Sequence, residues 1–270
     1  MMRASFRAGI LALALSLGLV SVALAAAFED GVAAYKRGDF ATALRLLRPL
    51  ADERNASAQA LLGLMYALGE GVPQDHAAAL AWYRKAADQG LASAQSDLGA
   101  MYEQGLGVRQ DFATALGWYR KAADQGFSGA EYSLGLMYAA GRGVPKDLRA
   151  AVIWFSKAAD HGNPAAGYRL GLMYESGEGV PQDFTAAVTR YRDAAERGDP
   201  NAQARLAAMY ATGKGMPRDD VMAFMWFSLA ASAGNTDALE GGEAVARRLS
   251  PAQLLEAQKL MRDWEPKSNF

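Results

Sequence analysis

The chain has 270 residues, 51% hydrophobic and 21% charged, which excludes a largely disordered protein. Its net charge of -1 excludes the basic excess that nucleic-acid binding needs. With no cysteine and two histidines, disulfides, thiolate metal sites, a cysteine nucleophile and a lipid-modified cysteine are excluded, and histidine-based sites are hard to build.

Residues 1–27 read as an export signal. Arg3 and Arg7 give a basic head, Gly9 to Val20 is an apolar run broken only by Ser16, and Ala23-Leu24-Ala25 and Ala25-Ala26-Ala27 are small-residue exits. That order predicts a secretory signal peptide, cleaved after Ala25 or Ala27. An uncleaved anchor is the alternative, because Ala8 to Ala27 is just long enough to span a bilayer. The paired exits favour cleavage, no stable membrane insertion afterwards, and the bacterial periplasm as destination.

Residues 28–55 predict a short N-terminal helix pair, with Tyr35, Gly38, Asp39 and Phe40 at a turn that has almost no loop. From residue 56 to 235 the chain repeats every 36 residues. WYRKAADQG stands at Trp82–Gly90 and again at Trp118–Gly126; Met-Tyr recurs at Met65, Met101, Met137, Met173 and Met209. Gly-x-Gly recurs from Gly69/Gly71 to Gly213/Gly215, and Asp from Asp39 to Asp219. A fixed period in this range means a solenoid or array.

Each unit reads as two helices. Ala58, Leu62, Met65 and Tyr66 share one face of the first, which Gly69 ends. Asp75 caps the second, whose buried stripe is Ala79, Trp82, Tyr83, Ala86 and Ala87, and Gly90 ends it. The recurring Trp is expected in the core, Trp118 included. One pair cannot bury these faces, so neighbours must stack.

After Asn235 the repeat marks vanish. Ser250-Pro251-x-Gln253 is a capping box, and Leu254, Ala257, Met261 and Trp264 make the next helix a lid within a C-terminal cap, 236–270. Glu265–Phe270 is expected to be a frayed tail.

The pattern A-x3-L-G-x-M-Y-x2-G-x-G-V-x2-D-x3-A-x2-W-x3-A-A-x2-G resembles the Sel-1-like repeat, a relative of the tetratricopeptide repeat. Ala94, Leu98-Gly99, Met101-Tyr102, Gly105, Gly107-Val108, Asp111, Ala115, Trp118, Ala122-Ala123 and Gly126 carry it. The resemblance covers about 56–235, with departures at Arg190 for Trp, Arg109 for Pro and Ala207 for Gly. It implies an all-α fold, a right-handed α-solenoid of antiparallel helix pairs that binds other proteins. It also implies work in the bacterial envelope, and it brings no shared catalytic residues.

The chemical motifs reduce to structure. Gly-x-Gly lacks the Lys-Ser/Thr of a phosphate loop, and Asp75 and its equivalents would repel a phosphate. The periodic methionines fall on the buried face and read as packing, not a copper box. His76 and His161 have no partner at metal spacing, and His161 suits a helix C-terminus. No cofactor and no metal is expected. Some relatives are described as binding or cleaving β-lactams, but the chain holds neither Ser-x-x-Lys nor Gly-x-Ser-x-Gly.

What remains is the first-helix surface, where the repeat stops repeating. Its stripe reads Ser96, Ala100, Glu103; Tyr132, Leu136, Ala139; Tyr168, Leu172, Glu175; Ala204, Ala208, Ala211, with Asp97, Ser133, Arg169 and Arg205 beside it. Tyr and Arg dominate binding energy at interfaces. The candidate protein-binding groove is therefore Tyr132, Tyr168, Arg169, Glu175, Arg205 and Glu103, unless the tyrosines pack between units. The expected function is a non-enzymatic interaction scaffold in the envelope, with proteins or peptides as partners. The alternatives are a peptidoglycan-binding module and, behind it, a β-lactamase-like hydrolase.

Overall fold

A computed structural model describes residues 24–267, so most of the expected signal peptide lies outside the described residues. Among those residues every regular element is a helix. They are α1 (24–36), α2 (Phe40–Asp52), α3 (Ala56–Leu68), α4 (His76–Asp88), α5 (Ala92–Gln104), α6 (Phe112–Ala123) and α7 (Ser128–Ala140). Then come α8 (Leu148–Asp160), α9 (Pro164–Ser176), α10 (Phe184–Glu196), α11 (Pro200–Thr212), α12 (Asp220–Ser232), α13 (Asp237–Ala246) and α14 (Pro251–Asp263). They form two compact units, one ending at Trp118 and one beginning at Tyr119.

The period of 36 is a 13-residue helix, the loop 69–75, a second 13-residue helix and the turn 89–91. Each boundary has a local cause. Gly69 leaves α3 at φ +75°, and its N–H returns to the Met65 carbonyl. The Asp75 carboxylate accepts from the Ala77 and Ala78 N–H groups, which have no partner within the first turn of α4. The loop is also closed by backbone: the Asp75 N–H donates to the Tyr66 carbonyl at 2.9 Å, and Asp183 does the same to Tyr174.

In the first unit α2 packs on α3, α3 on α4 and α4 on α5. Leu47, Leu62 and Met65 form one core with Ala27 and Phe28 of α1 against it; Tyr83, Ala86 and Leu98 anchor the next. In the second unit consecutive helices pack from α7 to α13, with α9 also touching α11, and α11 touching α13. Gly179 shows why neighbours can approach so closely: a Cβ there would lie 2.6 Å from the Leu148 carbonyl oxygen.

The recurring Trp is not the uniform core residue that the sequence suggests. Trp82 and Trp226 are buried, but Trp118 and Trp154 are half-buried. The next position holds the core aromatic in every unit: Tyr83, Tyr119, Phe155, Tyr191 and Phe227. Tyr83, Phe155 and Tyr191 lie on the central glycine of their first helix, where a Cβ on Gly135 would come 2.5 Å from Phe155. The Trp one residue earlier turns by one helical step toward the pair's edge, which is why Arg190 can replace it.

The C-terminal lid closes as expected. Ala257 is fully buried, and the Trp264 ring meets Trp226 edge-on at 6.0 Å. The tail is not frayed through 267. The Lys267 N–H donates to the Glu196 carbonyl at 2.7 Å, and its ammonium reaches the Glu196 carboxylate at 2.5 Å. An ion pair and a backbone bond together hold it.

Candidate interaction groove

Five of the six candidate residues lie in the second unit, on α7, α9 and α11. Glu103 lies on α5 in the first unit, where its carbonyl accepts from the Gln110 amide at 2.7 Å. Tyr132 and Tyr168 are half-buried. Each leans on the core aromatic of its own helix pair: Tyr132 on Phe155 with centroids 5.7 Å apart, Tyr168 on Tyr191 at 6.1 Å. The reason is registry. A residue three before the central glycine sits beside the ring that the glycine admits. These tyrosines are thus held against clusters that include core residues of the following repeat, and do not stand free.

Between α7 and α9 is a cavity of about 170 Å³, lined by Leu136, Ala139, Phe155, Leu172 and Met173, with Arg169 and Glu178 also on its lining. Arg169 is exposed and makes no ion pair with any described residue. Arg205 differs: its guanidinium lies 3.9 Å from Glu175. Glu175 also accepts a 2.6 Å hydrogen bond from the Tyr191 hydroxyl. Burial, then the Glu175 bond, pushes the Tyr191 phenol far above its ordinary value.

Three features escaped the sequence reading. First, a glutamine column clamps successive helices: Gln59, Gln95 and Gln203 donate to the Ala51, Ala87 and Ala195 carbonyls. Gln89 donates in turn to Gln59 at 2.7 Å. In the third repeat the same two positions are Glu131, 1% exposed, and His161, whose Nδ1 lies 2.8 Å from the carboxylate. The signal was a 30-residue pairing. Second, an 18-residue pairing joins Arg48 to Tyr66, Arg84 to Tyr102, Arg120 to Tyr138 and Arg192 to Tyr210. Ser156 breaks that series at Tyr174. Third, Asp97 is reachable by solvent yet crowded by protein, and this desolvation pushes its carboxyl up to about 6.

Among the described residues no group of three or more His, Cys, Asp or Glu could hold a metal ion. No described helix is long and apolar enough to cross a membrane. Helix pairs stacked on a 36-residue period define an α-solenoid repeat protein. The Sel1 repeat matches residues 56–91, 92–127, 128–163, 164–199 and 200–235, and the chain belongs to the Sel1 repeat family.

The chain is similar to a Sel1 repeat protein from Oxalobacter formigenes, at 35% identity over 88% of this chain and 100% of that one, with a TM-score of 0.77. It is similar at 36% identity and a TM-score of 0.76 to a protective antigen present in uropathogenic Escherichia coli strains. That match covers 92% of this chain and 55% of the antigen, so this chain spans about half the antigen's length. The immunity protein Pa5087 from Pseudomonas aeruginosa shares the fold alone, at 21% identity, a TM-score of 0.53, and coverage of 77% of this chain and 83% of that one. No curated protein sequence matches the chain. Sel1 repeat proteins are typically protein–protein interaction scaffolds.

Proposed function

We propose that the protein is a non-enzymatic adaptor of the bacterial cell envelope, exported to the periplasm, that holds a partner protein on α7, α9 and α11. One observation supports this best: a largely apolar cavity between α7 and α9 with the Arg169 guanidinium beside it, which has no ion-pair partner among the described residues. Export rests on the basic head, apolar run and alanine exits of residues 1–27. The packing of Ala27 and Phe28 on the first core favours cleavage after Ala25, which leaves both in place.

Two measurements test the reading. Fractionation with N-terminal sequencing should find the chain outside the cytoplasm beginning at Ala26; an intact Met1 in the membrane fraction defeats export. Site-specific photo-crosslinkers at Leu172 and Ser176 should capture a protein that the same probe at Ile153, on α8, does not. Equal capture at all three sites defeats the groove, and co-sedimentation with purified peptidoglycan without protein capture replaces it with polymer binding.

A further inference from the structure

The cavity and the charges around it define what chemistry a partner must bring. This step rests on the groove reading above. A cavity of about 150 Å³ with apolar walls holds one benzene-sized group. The 170 Å³ between α7 and α9 therefore suits one Leu, Met or Phe side chain, and its walls of Leu136, Ala139, Phe155 and Leu172 offer such a group no hydrogen-bond partner from their side chains.

The charge beside it is uneven. Glu175 is already engaged by the Tyr191 hydroxyl and by Arg205, with 24% of its side chain exposed. Arg169 has no such counter-ion among the described residues. Glu178 is the one carboxylate on the cavity lining, and it lies on the exposed turn after α9 without an ion pair to Arg169. A guanidinium presents a fixed fork of donors that a carboxylate matches with two bonds.

We propose that this face binds an acidic amphipathic segment of a partner protein, which seats one bulky apolar side chain in the cavity and pairs a flanking carboxylate with Arg169. Arg205, tied to Glu175, contributes field more than contact. The apolar group supplies contact area, and the carboxylate sets register and excludes basic segments.

The test is selection of random 12-residue peptides displayed on phage against the purified protein, followed by anisotropy titration of the enriched sequences as synthetic peptides. The expected winners carry Asp or Glu within a few residues of Leu, Met or Phe. Arg169→Glu should weaken them by about tenfold, and exchanging the peptide's acid for lysine should restore binding to that variant. Ala139→Met, which fills the cavity, should weaken them comparably, while Glu178→Gln should tighten them. Arg169 is exposed, so circular dichroism and the melting midpoint should not move; Arg169→Gln gives the same readout if the reversal perturbs folding.

Enriched peptides that protect α7 and α9 from hydrogen exchange but are basic or uncharged overturn the acidic partner and leave the groove standing. Peptides that protect other helices, or a library that yields no binder, overturn both.

Discussion

The two units are built on one repeat, yet they differ where the fold leaves a choice. Beside the first-helix stripe, the first unit carries Leu61 and Asp97, and the second carries Ser133, Arg169 and Arg205. Three before the central glycine, the first has Ala60 and Ser96, while the second has Tyr132 and Tyr168. At the inter-helix clamp the first uses a neutral pair, Gln59 with Gln89, and the second an acid with a histidine, Glu131 with His161. Positions that meet the same neighbours in every repeat stay the same. Positions that meet solvent, or only one another, are free to acquire charge and rings.

The largest effect belongs to the shared core. Phe155→Ala in the second unit should cost about 3–5 kcal/mol by urea denaturation, because its buried ring lies against Gly135 and its loss leaves a cavity there. Trp118→Ala in the first unit removes a half-buried ring and should cost about 1–2 kcal/mol. Equal losses would mean that the preceding Trp is as much a core residue as the aromatic after it.

The clamp comes next. His161→Ala leaves a buried carboxylate without its ring partner and should cost about 1–3 kcal/mol. Gln89→Ala breaks a neutral bond in the first unit and should cost about 1 kcal/mol or less. Glu131→Gln should recover stability in a His161→Ala background, since it restores the glutamine that clamps the first, second and fifth repeats; a further loss there would show that the carboxylate has a partner besides His161.

Two carboxyls, one in each unit, should contribute pH dependence of opposite sign. The Asp220 carboxyl in the second unit is held well below its ordinary value by hydrogen bonds from Arg248, then Arg218. Its stabilisation is present above the unfolded carboxylate range and is lost as pH falls through the depressed folded value. Asp97 in the first unit holds its proton up to about 6 against an ordinary 3.8, so the folded state loses stability as pH rises across that window. Asp220→Asn should lower the melting midpoint at pH 7 and converge with the parent in acid. Asp97→Asn should raise the midpoint at pH 7 and leave it unchanged below pH 3.8.

The smallest expected effects repair each unit's own departure. Ala233 stands where Gln89 stands in the first Sel1 repeat, and the buried Gln203 side-chain oxygen has no partner. Ala233→Gln in the second unit should add about 1 kcal/mol. In the first unit Arg54 holds φ +69° where later pairs have glycine, and Arg54→Gly should add up to about 1 kcal/mol, offset by the glycine's extra unfolded freedom. Thermal melts of the two single variants separate these gains, and no gain at Ala233 would mean that water already satisfies Gln203.

By itself the sequence determined the all-helical class, the 36-residue pairing, the caps at Asp75 and its equivalents, the glycine stops and the C-terminal lid. Each of these depends on contacts within a few residues, or on a period that is printed five times. Helix registry also put Tyr132 and Tyr168 at equivalent positions of successive first helices, but of the three residues singled out there only Arg169 lines the cavity. Which aromatic enters the core was not legible, because Trp118 and Tyr119 are adjacent and both apolar, and only the crossing of two helices at a glycine selects between them. Nor could the sequence show that Glu175 is engaged and Arg169 is not, or that Glu131 is buried against His161. Those facts join residues 16 to 30 positions apart, and they exist only once one helix pair is laid on the next.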